Sequence, residues 1–276
     1  MKSKSIGKII LIKIIKSLYA LIFGIYLLEI GTAYFSTTNK CINTHCPKYP
    51  TNCHDATRNT GKSGVYTLDI EGKSFLAYCE ADINGGGWLV IQRRQDGSVD
   101  FNRNWTDYKS GFGNINSEFF FGLNKLHKLT NKNAHELMIV MRLFDSTVLH
   151  TKFDYFLIGS ETEGYILKEL GLRSGNSTFL LSWMEDFEFL TKDRYNNTLC
   201  NENFAKIING GWWTSCTNHW YYVGEKIIVP DLFDVGNTDL NGIYNHGNDT
   251  SAKDRYLIIG DVKIKFAQMM IRPIGF

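Results

Sequence analysis

Six cysteines, at positions 41, 46, 53, 79, 200 and 216, all lie behind a charged-then-apolar leader, and that order limits what this chain can fold into. An even number of cysteines on an export route reads as a disulfide framework, because thiols oxidise there and stay reduced in the cytosol. The leader carries Lys2, Lys4, Lys8, Lys13 and Lys16, then an uncharged apolar run from Leu18 to Leu28, with Glu29 and the small residues Gly31-Thr32-Ala33 closing it. This is the layout of a secretory signal over residues 1–33. A membrane anchor needs roughly 20 apolar residues, and Lys16 and Glu29 bracket too few. Secretion to the extracellular space, with no membrane insertion after signal cleavage, is therefore expected. Four Asn-X-Ser/Thr triplets, at Asn104, Asn176, Asn196 and Asn248, become glycosylation candidates on such a route.

Charge excludes one large class of partner. The whole chain carries 30 Lys+Arg against 28 Asp+Glu, a formal +2. Without the leader's five lysines and one glutamate, the remaining 243 residues hold 25 basic and 27 acidic groups, a net −2. That body lacks the positive excess that nucleic-acid binding draws on. A hydrophobic content of 43% with 14% aromatic supports a packed core rather than disorder.

Residues 34–52, polar and marked by Pro47 and Pro50, read as an extended lead-in with two extra cysteines. No heptad or collagen repeat follows the leader. From Cys53 the pattern is dense and short-period. Val65–Ile70 and Phe75–Cys79 flank Glu71-Gly72-Lys73 as a hairpin, and Trp88–Gln92 follows Gly85-Gly86-Gly87 as a buried strand. Leucines at 123, 126 and 129 predict a helix over Phe120–Leu129. Glu136–Phe144, Lys152–Ile158 and the alternating Val262, Ile264 and Phe266 predict further strands, the last stopped by Pro273. Strands in hairpins rather than βαβ units give an α+β fold with a twisted antiparallel sheet and few helices. Residues 193–248 have little periodicity and much Asn, Gly and Trp, as a loop-built binding surface would.

Motifs that suggest chemistry fail on context. Ala56 to Ser63 (ATRNTGKS) approaches a phosphate loop, but such a loop needs a strand before it and a helix after it, and here a strand pattern follows. Cys41, His45, Cys46, Cys53 and His54 cluster without a Cys-X-X-Cys pair, so disulfides are expected over zinc. His135-Glu136 lacks the second histidine of a zinc-protease helix, and no Gly-X-Ser-X-Gly elbow is present. No enzyme is read. The oxygen-rich runs at Asp193–Asn197 and Asp231…Asp234…Asp239 lack EF-hand spacing, and the first has one carboxylate.

One stretch is specific. Ser63-Gly64-Val65-Tyr66, Tyr78-Cys79-Glu80, Gly85-Gly86-Gly87-Trp88 and above all Ile91 to Phe101 (IQRRQDGSVDF) resemble the fibrinogen C-terminal domain family of fibrinogen chains, ficolins, tachylectins and angiopoietins. The resemblance continues through Trp105, Tyr108, Gly111-Phe112-Gly113, Glu118-Phe119 and Gly122-Leu123. It returns at Thr191-Lys192-Asp193-Arg194, Gly210-Gly211-Trp212-Trp213, Leu240 to Tyr244 and Met270 to Pro273. It implies one domain over residues 53–274, a central antiparallel sheet with a loop-rich C-terminal part, and binding rather than catalysis. It also implies the pairs Cys53–Cys79 and Cys200–Cys216. Closing a loop of about 27 residues with the first is worth roughly 3 kcal/mol in the chain-entropy model. Cys41 and Cys46 either pair with each other or link chains into a disulfide-bonded oligomer.

The departures fall on the family's binding elements. Calcium-binding members carry an Asp-X-Asp-X-Asp run; after Asp193 this chain has Tyr195 and Asn197, so the loop is degraded and no cofactor is expected. The family's Asn-Cys-Ala reads Asn203-Phe204-Ala205, with the cysteine at Cys200. Residues 217–239 are an insertion. In acetyl-binding relatives two backbone amides, matching Ser215 and Cys216, hold the acetyl oxygen between aromatic side chains. Ile208 and Ser251-Ala252 do not supply that wall, while Trp212, Trp213, Trp220, Tyr221 and Tyr222 are candidate ligand-binding residues. The last three equally suit a core for the insertion. Two functions follow as expectations: a lectin for extracellular acetylated or sialylated glycans in innate defence or adhesion, or a signalling ligand or matrix component that binds a cell-surface or matrix protein through residues 217–239.

Overall fold

Asn52 opens the folded chain by accepting the Asp55 N–H at 2.9 Å, which caps a short helix, α1 (Cys53–Thr57). The computed structural model describes residues 48–177, 181–195, 210–214, 221–223, 226–228, 239–244, 258–259 and 262–275, and for 182–183, 221–223, 226–228, 258–259 and 262 the backbone alone. All belong to one unit, Pro47–Phe276. Strands β1 (Gly64–Ile70) and β2 (Lys73–Glu80) pair with Ile70 opposite Lys73, leaving a two-residue turn. Glu71 (φ 54°) and Gly72 (φ 78°) both sit in the left-handed region, the geometry whose twist suits a tight hairpin. The turn is thus one residue tighter than the glycine motif predicts. Cys53 of α1 is bonded to Cys79 of β2, 26 residues on, across a Cα–Cα distance of 5.3 Å.

β3 (Trp88–Arg94) is buried at all seven positions, polar end included. After it come α2 (Trp105–Ser110), β4 (Phe112–Gly113), β5 (Phe119–Phe120) and α3 (Leu123–Lys132). The predicted helix therefore starts three residues late. Gly122 has φ 107°, and a Cβ there would meet the Ser110 carbonyl at 2.7 Å, so the chain passes its neighbour in extended form before it coils. The leucine spacing still holds, with Leu123 and Leu126 buried on the inner face. β6 (His135–Leu143) and β7 (Val148–Ile158) form the second long hairpin, joined at Arg142 opposite Val148.

The remaining strands are β8 (Leu167–Leu170), β9 (Arg173–Gly175), β10 (Phe189–Leu190), β11 (Trp212–Trp213), β12 (Tyr221–Val223), β13 (Lys226–Ile228), β14 (Ile258–Ile259) and β15 (Val262–Pro273). The main sheet runs β1-β2-β3-β15-β6-β7-β8, antiparallel throughout, with β5, β9 and β14 attached at its sides. β10–β11 and β12–β13 are separate pairs. The last strand occupies the centre, so the sheet closes only when the C-terminus arrives between β3 and β6. Pro273 pairs with His135 as the final residue of β15, where a missing N–H costs no further ladder bond.

The order helix, loop, strand around residues 56–63 is the reverse of a phosphate loop. Of the Cys/His cluster, Cys53 is in a disulfide, and Cys41, His45 and Cys46 lie outside the described residues.

Candidate functional site

The C-terminal end of β3 carries the loops. Gln92 Nε2 donates to the Leu240 carbonyl at 2.8 Å and to Asn241 Oδ1 at 3.1 Å, spanning 148 and 149 residues of chain. Arg94 Nη1 donates to the Gly242 carbonyl at 2.6 Å, and its guanidinium lies 4.0 Å from the Phe101 ring centre. Burial pulls the Arg94 pKa down; Glu118, its ion-pair partner at 3.6 Å, opposes that most strongly. The Glu118 carboxylate is fully buried and receives four backbone N–H groups, from Gln95, Asp96, Gly97 and Val99 at 2.7–3.1 Å. It thereby shapes the loop after β3. Tyr244 closes the assembly: its hydroxyl lies 2.8 Å from the carbonyls of Gln95 and Lys265.

Asn241 then reaches the tryptophan pair. Its Nδ2 donates to the Gly211 carbonyl at 2.8 Å. A Cβ on Gly210 would stand 2.3 Å from the Asn241 carbonyl, and one on Gly211 would stand 2.6 Å from the Phe189 ring. The double glycine exists for that close approach. It also turns both indoles inward. Trp212 and Trp213 are 2% and 1% exposed, and their Nε1 groups donate to Met184 Sδ at 3.1 Å and the Tyr165 carbonyl at 2.9 Å. Trp213 meets Phe189 edge-on at 5.2 Å. The reading of Trp212 and Trp213 as ligand-contacting residues is corrected here: they are core side chains with their polar atoms satisfied internally.

Ser215, Cys216 and Trp220 lie outside the described residues, as do Cys200, Asn196, Asn197 and Asn248. Tyr221 and Tyr222 belong to the β12–β13 hairpin, opposite Ile228 and Ile227. The segment around Asp193 is tied down by protein groups. Asp193 Oδ1 accepts the Trp105 N–H at 2.9 Å and the Thr191 hydroxyl at 2.7 Å. Arg194 stacks 3.7 Å from the Trp105 ring centre and donates to the Glu161 carbonyl at 3.3 Å. Lys109 beside Glu161, at 2.6 Å, lowers that carboxyl's pKa, aided by the Trp105 indole N–H. The Asp193 carboxylate is thus already engaged at Oδ1 by protein groups. Among the described residues no three His, Cys, Asp or Glu side chains gather as a metal site.

A cavity of about 560 Å³ opens at the other end of β3, lined by Leu68, Leu89, Leu129 and Ile271 with Asp69 and His135. Burial lowers the His135 pKa, and its Nδ1 lies 2.7 Å from the Asn133 carbonyl. Sequence reasoning missed the Gln92–Arg94–Asn241 connection. Its signal was present: Gln92-Arg93-Arg94 continue a strand whose first four residues are apolar.

An antiparallel sheet with β15 at its centre, a disulfide around the first hairpin, and loops docked on buried polar groups define a disulfide-tied α+β domain. The description "Fibrinogen beta and gamma chains, C-terminal globular domain" matches residues 49–274, and the chain belongs to that family. It is similar to human angiopoietin-related protein 6, at 32% identity over 219 residues (77% of this chain, 42% of that protein). It is likewise similar to human angiopoietin-1, at 32% over 225 residues (78% and 41%). The solved fibrinogen-like globe domain of human ANGPTL6 superposes with a TM-score of 0.68 at 31% identity, covering 85% of this chain and all of that one. The chain thus spans about two fifths of the length of these two relatives. No helix among the described residues is long and apolar enough to cross a membrane.

Proposed function

We propose that this chain is a secreted, non-catalytic, protein-binding ligand with an angiopoietin-like signalling role. The observation that carries it is the match, across more than three quarters of the chain, to angiopoietin-related protein 6 and angiopoietin-1. Its partner is a cell-surface or matrix protein, and the contact surface is the loop end of the domain, including residues 217–239. Loops on a rigid scaffold vary without cost to the core, so an insertion there changes partner choice and leaves the fold intact. Glycan capture, the other reading, is weakened because Trp212 and Trp213 offer no ring face to solvent. Linkage through Cys41 or Cys46 would add avidity to either.

Deleting residues 218–238 tests the reading. Binding to receptor-bearing cells or to matrix should be lost while the melting temperature stays near that of the full chain. A deletion variant that binds as well as the parent would refute the insertion as the contact surface.

A further inference from the structure

We propose that Asn104 is an occupied N-glycosylation site of this protein and that Asn176, with an equally complete sequon, is a structural asparagine that stays bare. This rests on the export route proposed above. The two side chains are both on exposed residues, and they differ in what their amides do.

Asn176 directly follows β9, the short strand on the open side of β7. Gly175, at φ 117° and with its Cβ position 2.3 Å from the His150 carbonyl, lets the chain press against that edge. The Asn176 side chain then pairs as a peptide group would. Its Oδ1 accepts the His150 N–H at 2.8 Å, and its Nδ2 donates to the Val148 carbonyl at 3.2 Å. The Asn176 and Ser177 N–H groups add bonds to the His150 carbonyl at 3.1 and 3.2 Å. Because both side-chain bonds face one strand edge, the proton in use is the one on the same side of the amide as Oδ1.

Glycan transfer consumes that proton's place. Nδ2 bonds to the anomeric carbon of a lipid-linked oligosaccharide, one amide proton leaves, and the lipid pyrophosphate departs with the electron pair of the broken C–O bond. A secondary amide prefers the trans arrangement, which sets the new substituent beside Oδ1 and leaves the remaining N–H pointing away. A glycan on Asn176 therefore breaks the bond to Val148 and wedges a sugar against the β7 edge. Copies modified before folding cannot close this edge as the structure does, and the folded secreted population is depleted of them.

Asn104 has no such duty. It precedes α2, its side chain caps no backbone N–H, and the first N–H of that helix is taken by Asp193. Its amide is available on an exposed residue, and a glycan there stands beside the Asp193 segment, away from the strand ladder.

The test secretes the full chain from mammalian cells behind a host signal sequence, so that export does not depend on the chain's own leader. Peptides are mapped after release of N-glycans by an amidase that converts the modified asparagine to aspartate. Asn104 should appear as aspartate and Asn176 as asparagine. Thr106→Ala should remove one glycan's gel shift. Thr178→Ala should change neither mobility nor melting temperature, whereas Asn176→Ala, which also abolishes the sequon, should lower the melting temperature. A glycan on Asn176 of the folded secreted protein, a bare Asn104, or an Asn176→Ala variant as stable as the parent would each overturn the assignment.

Discussion

The two ends of β3 are fastened by opposite means. At its start, Leu89 pairs with Cys79, whose disulfide to Cys53 ties the first hairpin over a short stretch of chain. Arg272 covers Trp88 at 4.1 Å from the ring centre, holds the Gly86 carbonyl at 2.7 Å and forms an ion pair with Glu136, which Lys152 also neutralises. At its far end no covalent bond is seen among the described residues: Gln92 and Arg94 hold the 239–244 segment through buried hydrogen bonds to residues some 150 positions away, and Glu118 pairs with Arg94 and gathers the 95–99 loop. The first arrangement tolerates a change of neighbours, since the bond survives rearrangement. The second depends on every polar group being satisfied, because a buried group that loses its partner costs its full desolvation. The domain thus hangs its 239–244 loop on its least forgiving contacts, which fixes that loop's position sharply.

The largest expected effect lies at that far end. Glu118→Ala strands a buried guanidinium and four N–H groups, and should cost about 3–5 kcal/mol in denaturant unfolding. A loss under about 1 kcal/mol would mean that water replaces the carboxylate and that the polar end is no weaker than the covalent one. Next, replacing Cys53 and Cys79 together by alanine should cost about 3 kcal/mol, by relaxing the constraint on the unfolded chain. That loss should leave protection of the 239–244 amides against hydrogen exchange unchanged below global unfolding. Coupled loss of protection there would break the separation of the two ends.

The smallest effect belongs to an exposed turn outside both ends. Lys168 at 2.5 Å, followed by the Ser160 N–H at 2.8 Å, holds the Glu163 carboxyl at about 2, below its ordinary 4.5. A depressed folded value makes its contribution complete above about 4.5 and lost as pH falls towards about 2. Glu163→Gln should flatten the acid-unfolding curve in that window alone. A change at neutral slope instead would assign the effect elsewhere.

Local features were legible in the sequence. Alternation around Glu71-Gly72 predicts the hairpin, and the leucine spacing finds α3 although Gly122 moves its start. α1 and α2, at five and six residues, are too short to show a period. The continuation of an apolar strand into Gln92-Arg93-Arg94 hints at buried polar groups, but their partners were illegible because each lies far along the chain, and a single sequence does not say which loop returns to which strand. The tryptophans failed for the same reason. Nothing in Gly210-Gly211-Trp212-Trp213 reveals that Phe189 and Tyr165 wait to bury them.

The central claim, recognition of a protein partner rather than a sugar, is tested most directly by binding the folded chain to responsive cells before and after two treatments. Enzymatic removal of surface glycans should leave binding intact, and mild proteolysis of surface proteins should abolish it. Binding that vanishes with the glycans and survives the protease would contradict the account.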